Sequence, residues 1–536
     1  MISTLQTLVF LLVVVAAVAV IAARLQIPTA IPLVLAGVGL ALVPALPDIE
    51  LAPELVLLLV LPPIVYFSAV QMSWLEFRFN LRPIALLSVG CVLFTTLAVA
   101  AATHYLLGLA WPVGFLLGAI VSPPDAVAPL SIARRLQIPH RILVVLEGEG
   151  LANDATALIL YRFAIVAIGS GLFSPGKAMT TFFAIVAGEI LWGLAAGWLT
   201  LRLRRWIAEP RIELTLSLLS PFLAFWPPQA LGGSGVLAAV TAGLYTSWDG
   251  QRLISAATRL QGIFFWDFLL YLIEGMVFLI TGLQARTLLD RIVAFPHAEL
   301  AFAAAIVTGV VIVARFAWLY PATYLPRCIP SVRRKDPSPP WTYPTAIAFT
   351  GVRGIVSLAA ALAIPFATDD GRPFPDRDLI LFLTFVVILV TLVGQGLLLP
   401  AIIRALGLAH TGRRERREDR AEEYEARRLA IGAVIDRLGR LAVERRLPDA
   451  LVRPLHALHR ERLRHIEQRS DGDAAHLRLS RQHEEIERLL IAEERDQVNR
   501  RFRDGKLKDE ARRRIERDLD LREASLANQG EEESLG

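Results

Sequence analysis

Three short stretches of this chain set ionisable side chains where they could hold an ion. The first reads Ser122-Pro123-Pro124-Asp125-Ala126-Val127-Ala128-Pro129. Two prolines before the acid and a third four residues after it remove backbone donors, so a helix should unwind here. Freed carbonyls beside a carboxylate can bind a cation. The second reads Leu146-Glu147-Gly148-Glu149-Gly150-Leu151-Ala152-Asn153-Asp154-Ala155-Thr156-Ala157. At about 100° per residue, Glu149 and Asn153 share one helix face, while Glu147 and Asp154 share another. The third, Thr350-Gly351-Val352-Arg353-Gly354-Ile355-Val356-Ser357, places one arginine between glycines that let another helix approach closely. An arginine in apolar surroundings needs a carboxylate. Glu149 is the expected partner of Arg353, because its face differs from that of Asp154.

All three stretches lie in apolar runs, and composition says what surrounds them. The chain has 536 residues, 54% hydrophobic and 20% charged, with a net charge of +5. Of its 55 basic and 50 acidic residues, 30 and 29 fall in 411–536, leaving 25 and 21 for the first 410. A soluble domain of that size could not cover its surface with so few charges. The first part therefore lives in a bilayer.

A helix needs about 20 apolar residues to cross the hydrocarbon. Thirteen runs qualify: 5–23, 28–46, 51–71, 83–108, 112–133, 143–168, 179–201, 212–228, 232–247, 263–285, 298–322, 342–366 and 379–404. Trp226-Pro227-Pro228 and Gly232-Gly233-Ser234-Gly235 interrupt the eighth and ninth, and Gly394-Gln395-Gly396 interrupts the last. Odd-numbered loops hold 16 Lys and Arg, from Arg24 to Lys335; even-numbered loops hold 5, with the acidic pairs Asp48/Glu50 and Asp369/Asp370. That bias puts the odd loops and the tail in the cytoplasm and the N-terminus outside. The expected fold is an all-α polytopic membrane protein of about 13 transmembrane helices, some broken, over 1–408, with a charged helical cytoplasmic tail over 409–536.

Several function classes are excluded. Cys91 and Cys328 stand far apart, so neither a disulfide framework nor a cysteine zinc site is expected. The nine histidines show no paired-ligand spacing, and no phosphate loop or RNA-binding platform occurs. No cofactor and no nucleic-acid partner are expected; the partners are the lipid bilayer and a transported monovalent cation.

Asp154 lies thirteen residues beyond Arg141, roughly 20 Å along a helix and near mid-membrane. Bare charge is disfavoured there, so its carboxylate holds either a proton or a cation. Glu147 lies nearer the cytoplasmic end. Arg162 and Arg315 read as snorkelling outward, whereas Glu274, in Leu272-Ile273-Glu274-Gly275-Met276, falls mid-span.

Together these residues resemble the bacterial monovalent cation/proton antiporters, the sodium/proton exchangers of the cation:proton antiporter 1 type. The resemblance covers roughly 5–408. It rests on the three stretches in that order, with Leu61-Pro62-Pro63, Ser234-Gly235-Val236-Leu237 and Gln395-Gly396. It implies two inverted repeats, a dimerisation part and a mobile core, a homodimer in the bacterial inner membrane, and transport by alternating access. It further implies that Asp154 carries cation and proton in turn, with Asn153 and Asp125 close by, and that Glu149 pairs with Arg353. An Asn-Asp pair, as here, implies one-for-one electroneutral exchange, serving pH and sodium homeostasis.

Three departures from the family pattern concern the cation site. Pro124 and Gly150 stand where many relatives have hydroxyl side chains, and Tyr66-Phe67-Ser68 where some carry an acid. Ser122, Thr156, Ser68 and Glu274 are the candidate substitutes. Sodium/proton exchange is the expected activity, with potassium/proton exchange the alternative. An intramembrane aspartyl enzyme using Asp125 and Asp154, or a membrane-anchored scaffold acting through its tail, are the rival classes.

The tail reads as helices over 413–447, about 450–469 and about 474–526, broken at Pro448, Asp471-Gly472-Asp473 and Asp504-Gly505. Leu429, Ile431, Ile435, Leu438 and Leu441 recur at helical spacing among Glu–Arg pairs, which suits helix packing or a dimer contact. His456, His459, His465, His476 and His483 read as solvated.

Overall fold

The computed structural model describes residues 2–43, 52–170, 175–207, 209–293, 295–368, 371–470 and 474–534. Regular structure among them is helical, apart from one isolated bridge between Ala367 and Pro373. Asp48/Glu50, Asp369/Asp370 and Asp471-Gly472-Asp473 lie outside the described residues. The chain forms two compact units, Met1–Gly412 and Arg413–Gly536.

The expectation of about 13 spanning helices is corrected. Among the described residues, eight helices are long and apolar enough to cross a membrane: Gln6–Leu25, Pro53–Gln71, Leu81–Leu107, His140–Gly169, Gly176–Arg204, Thr258–Arg291, His297–Cys328 and Arg377–Ala405. The other five runs fail for physical reasons. The second is a helix of only 12 residues, Ala30–Ala41. The fifth and twelfth are each split into two short helices by their prolines and glycines. The eighth and ninth form separate helices, Pro210–Ala230 and Val236–Leu253, with polar residues along their length.

Large apolar side chains such as Val13, Phe183, Leu191 and Trp198 are exposed on the long helices, as lipid-facing surfaces require. Pro62-Pro63 is preceded by a widened π turn, Val56–Val60. The proline rings displace the carbonyls behind them, and the wider turn accommodates this. Gly394-Gln395-Gly396 likewise does not break its helix, which passes through a π turn at Val390–Gln395. Ala30–Ala41 and Thr258–Arg291 meet where Gly37 faces Gly282, and a Cβ on either would overlap the other helix's backbone.

One buried acid explains the turn between Pro210–Ala230 and Val236–Leu253. Glu189 is 2% exposed. Its carboxylate accepts from the Ser234 N–H, the Ser234 hydroxyl (2.9 Å), the Gly235 N–H (2.9 Å) and the Leu237 N–H (3.0 Å). A negative group at a helix start satisfies donors that the helix leaves free and meets the positive end of its dipole. Glu189→Ala removes the acceptor from all four donors, at about 1–3 kcal/mol for each group left unsatisfied. A melt of the detergent-solubilised variant should show a transition several degrees lower; an unshifted transition would contradict this role.

The second unit consists of Leu408–Glu444, in which the boundary falls, and Asp449–Ser470, Ala474–Arg503 and Asp509–Ser534. The last two pack together through Arg495 with Asp520 and Glu523 (both 2.8 Å) and Arg522 with Glu494 (3.1 Å). Ile431 is buried, whereas Leu429 is 61% exposed.

Candidate functional site

The two split helices supply the centre of the site. Trp111–Val121 and Val127–Arg135 flank an unwound stretch at 122–126, and Thr342–Phe349 and Ile355–Leu362 flank another at 350–354. The stretches are hydrogen-bonded to each other, the Asp125 N–H donating to the Val352 carbonyl at 2.7 Å. Asp125 Oδ1 in turn accepts from the Val127 N–H at 2.9 Å, at the start of its half-helix.

Gly354 lies directly against that carboxylate, where a Cβ would overlap Asp125 Oδ2. Gly354→Ala should therefore move Asp125 and lower exchange by at least about tenfold, as misplaced functional groups generally do. Gly394→Ala, with nothing within 4 Å of the added atom, is the matched control. Equal rates for the two variants would refute the packing argument.

Asn153 is fully buried and ties the long helix His140–Ser170 to the first break. Its amide donates to the Pro124 carbonyl at 2.6 Å, and its Oδ1 accepts from the Asp154 N–H at 2.7 Å. Asp154 itself lines a cavity of about 620 Å³ together with Asp125, Glu274, Ser68 and Glu147. Asp154, Asp125 and Glu274, carried by the long helix, the first break and Thr258–Arg291, thus face one space, which Glu76, Glu147 and Asp267 also line.

Other sequence-predicted residues lie elsewhere. Ser122 and Thr156 do not line this cavity; their hydroxyls return to their own helix backbones, at Ala119 (3.3 Å) and Ala152 (3.4 Å). Pro124 and Gly150 do line it, so the hydroxyls missing from those positions are missing from its wall. Ser68, Ser357 and Tyr271 supply hydroxyls instead. Glu147 sits toward an exposed end, paired with Arg134 at 2.7 Å, near the Glu76–His140 pair at 2.8 Å.

The expected Glu149–Arg353 ion pair is not formed. Glu149 is 2% exposed, and Arg315 takes its carboxylate with two parallel bonds of 2.6 and 2.8 Å. Arg315 therefore does not snorkel. It stands thirteen residues before the end of the helix His297–Cys328, about 20 Å, farther than an arginine side chain reaches. Arg353 instead donates to backbone carbonyls, Val121 at 2.8 Å, Ser122 at 3.2 Å and that of Gly351. Its charge thus meets the negative end of the half-helix Trp111–Val121, which satisfies the arginine without a carboxylate. Gly351 makes room for both guanidinium groups, since a Cβ there would strike Arg315 and Arg353 together.

Sequence reasoning missed Arg315, Glu189, Ser357 and Tyr271. The depth of Arg315 in its helix was a usable signal. Ser357 follows Gly354 by three residues, and Tyr271 precedes Glu274 by three, which places it on the same face.

Residues 9–405 match the family described as "Sodium/hydrogen exchanger, transmembrane". The chain belongs to the sodium/hydrogen exchanger family. An uncharacterized Na+/H+ exchanger of Mycobacterium tuberculosis is 36% identical to this exchanger over 523 residues, covering 95% of this chain and 94% of the relative. The sodium, potassium, lithium and rubidium/H+ antiporter of Bacillus pumilus is 32% identical over 386 residues, 69% of this chain and 57% of the relative. The solved sodium proton antiporter of Methanocaldococcus jannaschii shares the fold, with a TM-score of 0.61 and 20% identity over 76% of this chain and 99% of that one. This exchanger is a multi-pass membrane protein of bacterial type and a secondary transporter, which moves a monovalent cation one way and a proton the other. It is not an enzyme, and the aspartyl-enzyme and scaffold readings are set aside.

Proposed function

We propose that Asp154 is the shared carrier, binding the cation or the proton but never both, with Asp125 completing the cation site and Asn153 holding the helix against the break. The observation that carries this is the convergence of Asp154, Asp125 and Glu274 on one cavity. Competition for a single carboxylate couples the two fluxes, because neither form of the site can move empty of a positive charge without leaving a bare anion in the membrane. One cation then leaves for each proton that enters, and the exchange is electroneutral. Alternating access moves the site between the two sides, in a homodimer of the inner membrane whose residues 1–408 transport and whose residues 409–536 form a cytoplasmic tail.

The orientation has independent support. Arg82, Arg141 and Arg327, from three arginine-rich loops, meet at Asp336, so those loops share one side. An excess of arginine marks the cytoplasmic side. Arg24 at the end of the first long helix, read by the same bias, supports an N-terminus outside.

Sodium is the proposed cation. Potassium is the second reading, favoured by the missing hydroxyls at Pro124 and Gly150 and by the ion range in the name of the Bacillus pumilus relative. Everted vesicles with an imposed pH gradient and a fluorescent pH probe test both. Sodium should collapse the gradient at lower concentration than potassium or lithium, and clamping the membrane potential should leave the rate unchanged. Collapse by potassium alone would reverse the ion assignment, and a rate that follows the potential would overturn electroneutrality.

A further inference from the structure

A second cavity, of about 50 Å³, lies away from the carboxylates. It sits where the starts of Leu81–Leu107 and His140–Gly169 meet the end of His297–Cys328. Arg82, Arg141 and Arg327 line it, and all three reach Asp336, Arg141 at 2.6 Å and Arg327 at 2.8 Å. Among the described residues, Asp336 is the one carboxylate paired with them, so the cluster carries two uncompensated positive charges. Arg327 is 6% exposed, yet its Nε–H has no partner. Burying an arginine donor without an acceptor is costly. Apolar side chains, Leu86, Val145, Leu319 and Ile347, form the remaining wall.

We propose that this arginine cluster is a binding site for an anionic phosphoryl group, carried by a phospholipid headgroup or by free phosphate. The cavity takes roughly four water-sized atoms, matching the oxygens of a phosphate. Guanidinium forks suit phosphate oxygens, and basic pockets between helices at a membrane surface suit anionic headgroups. Asp336 is then an internal stand-in that holds the arginines together while the site is empty. Partial burial pushes its carboxyl up, but hydrogen bonds and charge from Arg141 and Arg327 outweigh this and hold it below the ordinary carboxylate range.

The test uses the full chain, purified in detergent and stripped of lipid. Phosphatidylglycerol, phosphatidylethanolamine with the same acyl chains, and inorganic phosphate are added separately, and binding is read by native mass spectrometry and by the melting temperature. Phosphatidylglycerol should bind the wild type in preference to phosphatidylethanolamine. Arg82→Gln with Arg141→Gln should weaken it by about fivefold for each arginine removed, and Arg333→Gln, on the exposed neighbouring helix, should not. Asp336→Asn should bind it more tightly and gain more melting temperature from it than wild type does. A purely structural ion cluster would not produce that gain. Millimolar phosphate that displaces the lipid assigns the site to free phosphate as well; phosphate without effect assigns it to the headgroup. Equal binding of both lipids, or binding unaltered in the double variant and in Asp336→Asn, would overturn the proposal.

Discussion

Asp154→Asn should reduce cation-driven proton movement in everted vesicles to the level of membranes that lack the exchanger. Asparagine keeps the size of the side chain and leaves the Asn153–Asp154 backbone contact in place. It offers the cation no negative charge and has no proton to exchange, so both half-reactions stop together. Asp125 and Glu274 still line the cavity in this variant, which makes the experiment a test of assignment and not only of charge. Full loss with normal insertion and an unchanged melt supports Asp154 as the carrier. A variant that keeps coupled exchange, even with weaker apparent affinity, would move the role to Asp125 or Glu274.

The second large effect concerns stability. Replacing either Glu149 or Arg315 should cost about 3–5 kcal/mol, because the remaining member is left charged and buried. Their paired removal, Glu149→Leu with Arg315→Met, should recover much of that loss, since an apolar pair of similar size carries no desolvation penalty. A double-mutant cycle distinguishes the two arginines. Glu149 and Arg315, with bonds of 2.6 and 2.8 Å, should couple by several times the Glu149–Arg353 value. Thermal melts in detergent measure both cycles. Stronger coupling of Glu149 to Arg353 would reinstate the pairing expected from sequence.

Much of the candidate site was legible because its signals are local. The prolines around Asp125 signal a break, and the helix is broken there; the second break, at 350–354, was not read from the glycines around Arg353. Glu274 and Asp154 stood out as acids deep within apolar runs, and both line the cavity. The tail helices likewise follow from helical spacing and from breakers at Pro448 and Gly505. Less was legible where one group has several candidate partners. Glu149 had two arginines within reach, and the choice depended on which was already satisfied by carbonyls of a half-helix. Glu189 binds a turn that begins some 45 residues farther along, and only the packing of two helices brings them together. The span count failed for another reason, since an apolar run long enough to cross can still fold as two short pieces or one short helix.

By itself, then, the sequence determined that residues before the tail belong in a bilayer, that the helix at Asp125 is broken, and that Asp154 and Glu274 stand deep within apolar runs. Hydropathy and backbone restriction are properties of each residue and its neighbours, so they survive without knowledge of the fold. Tertiary structure decided that Arg315 and not Arg353 neutralises Glu149, that Asp125, Asp154 and Glu274 share one cavity while Ser122 and Thr156 do not, and that three arginines gather on Asp336. Those outcomes turn on where helices cross and how far side chains reach, and Coulomb and hydrogen-bond energies change over a few ångströms that sequence spacing cannot resolve.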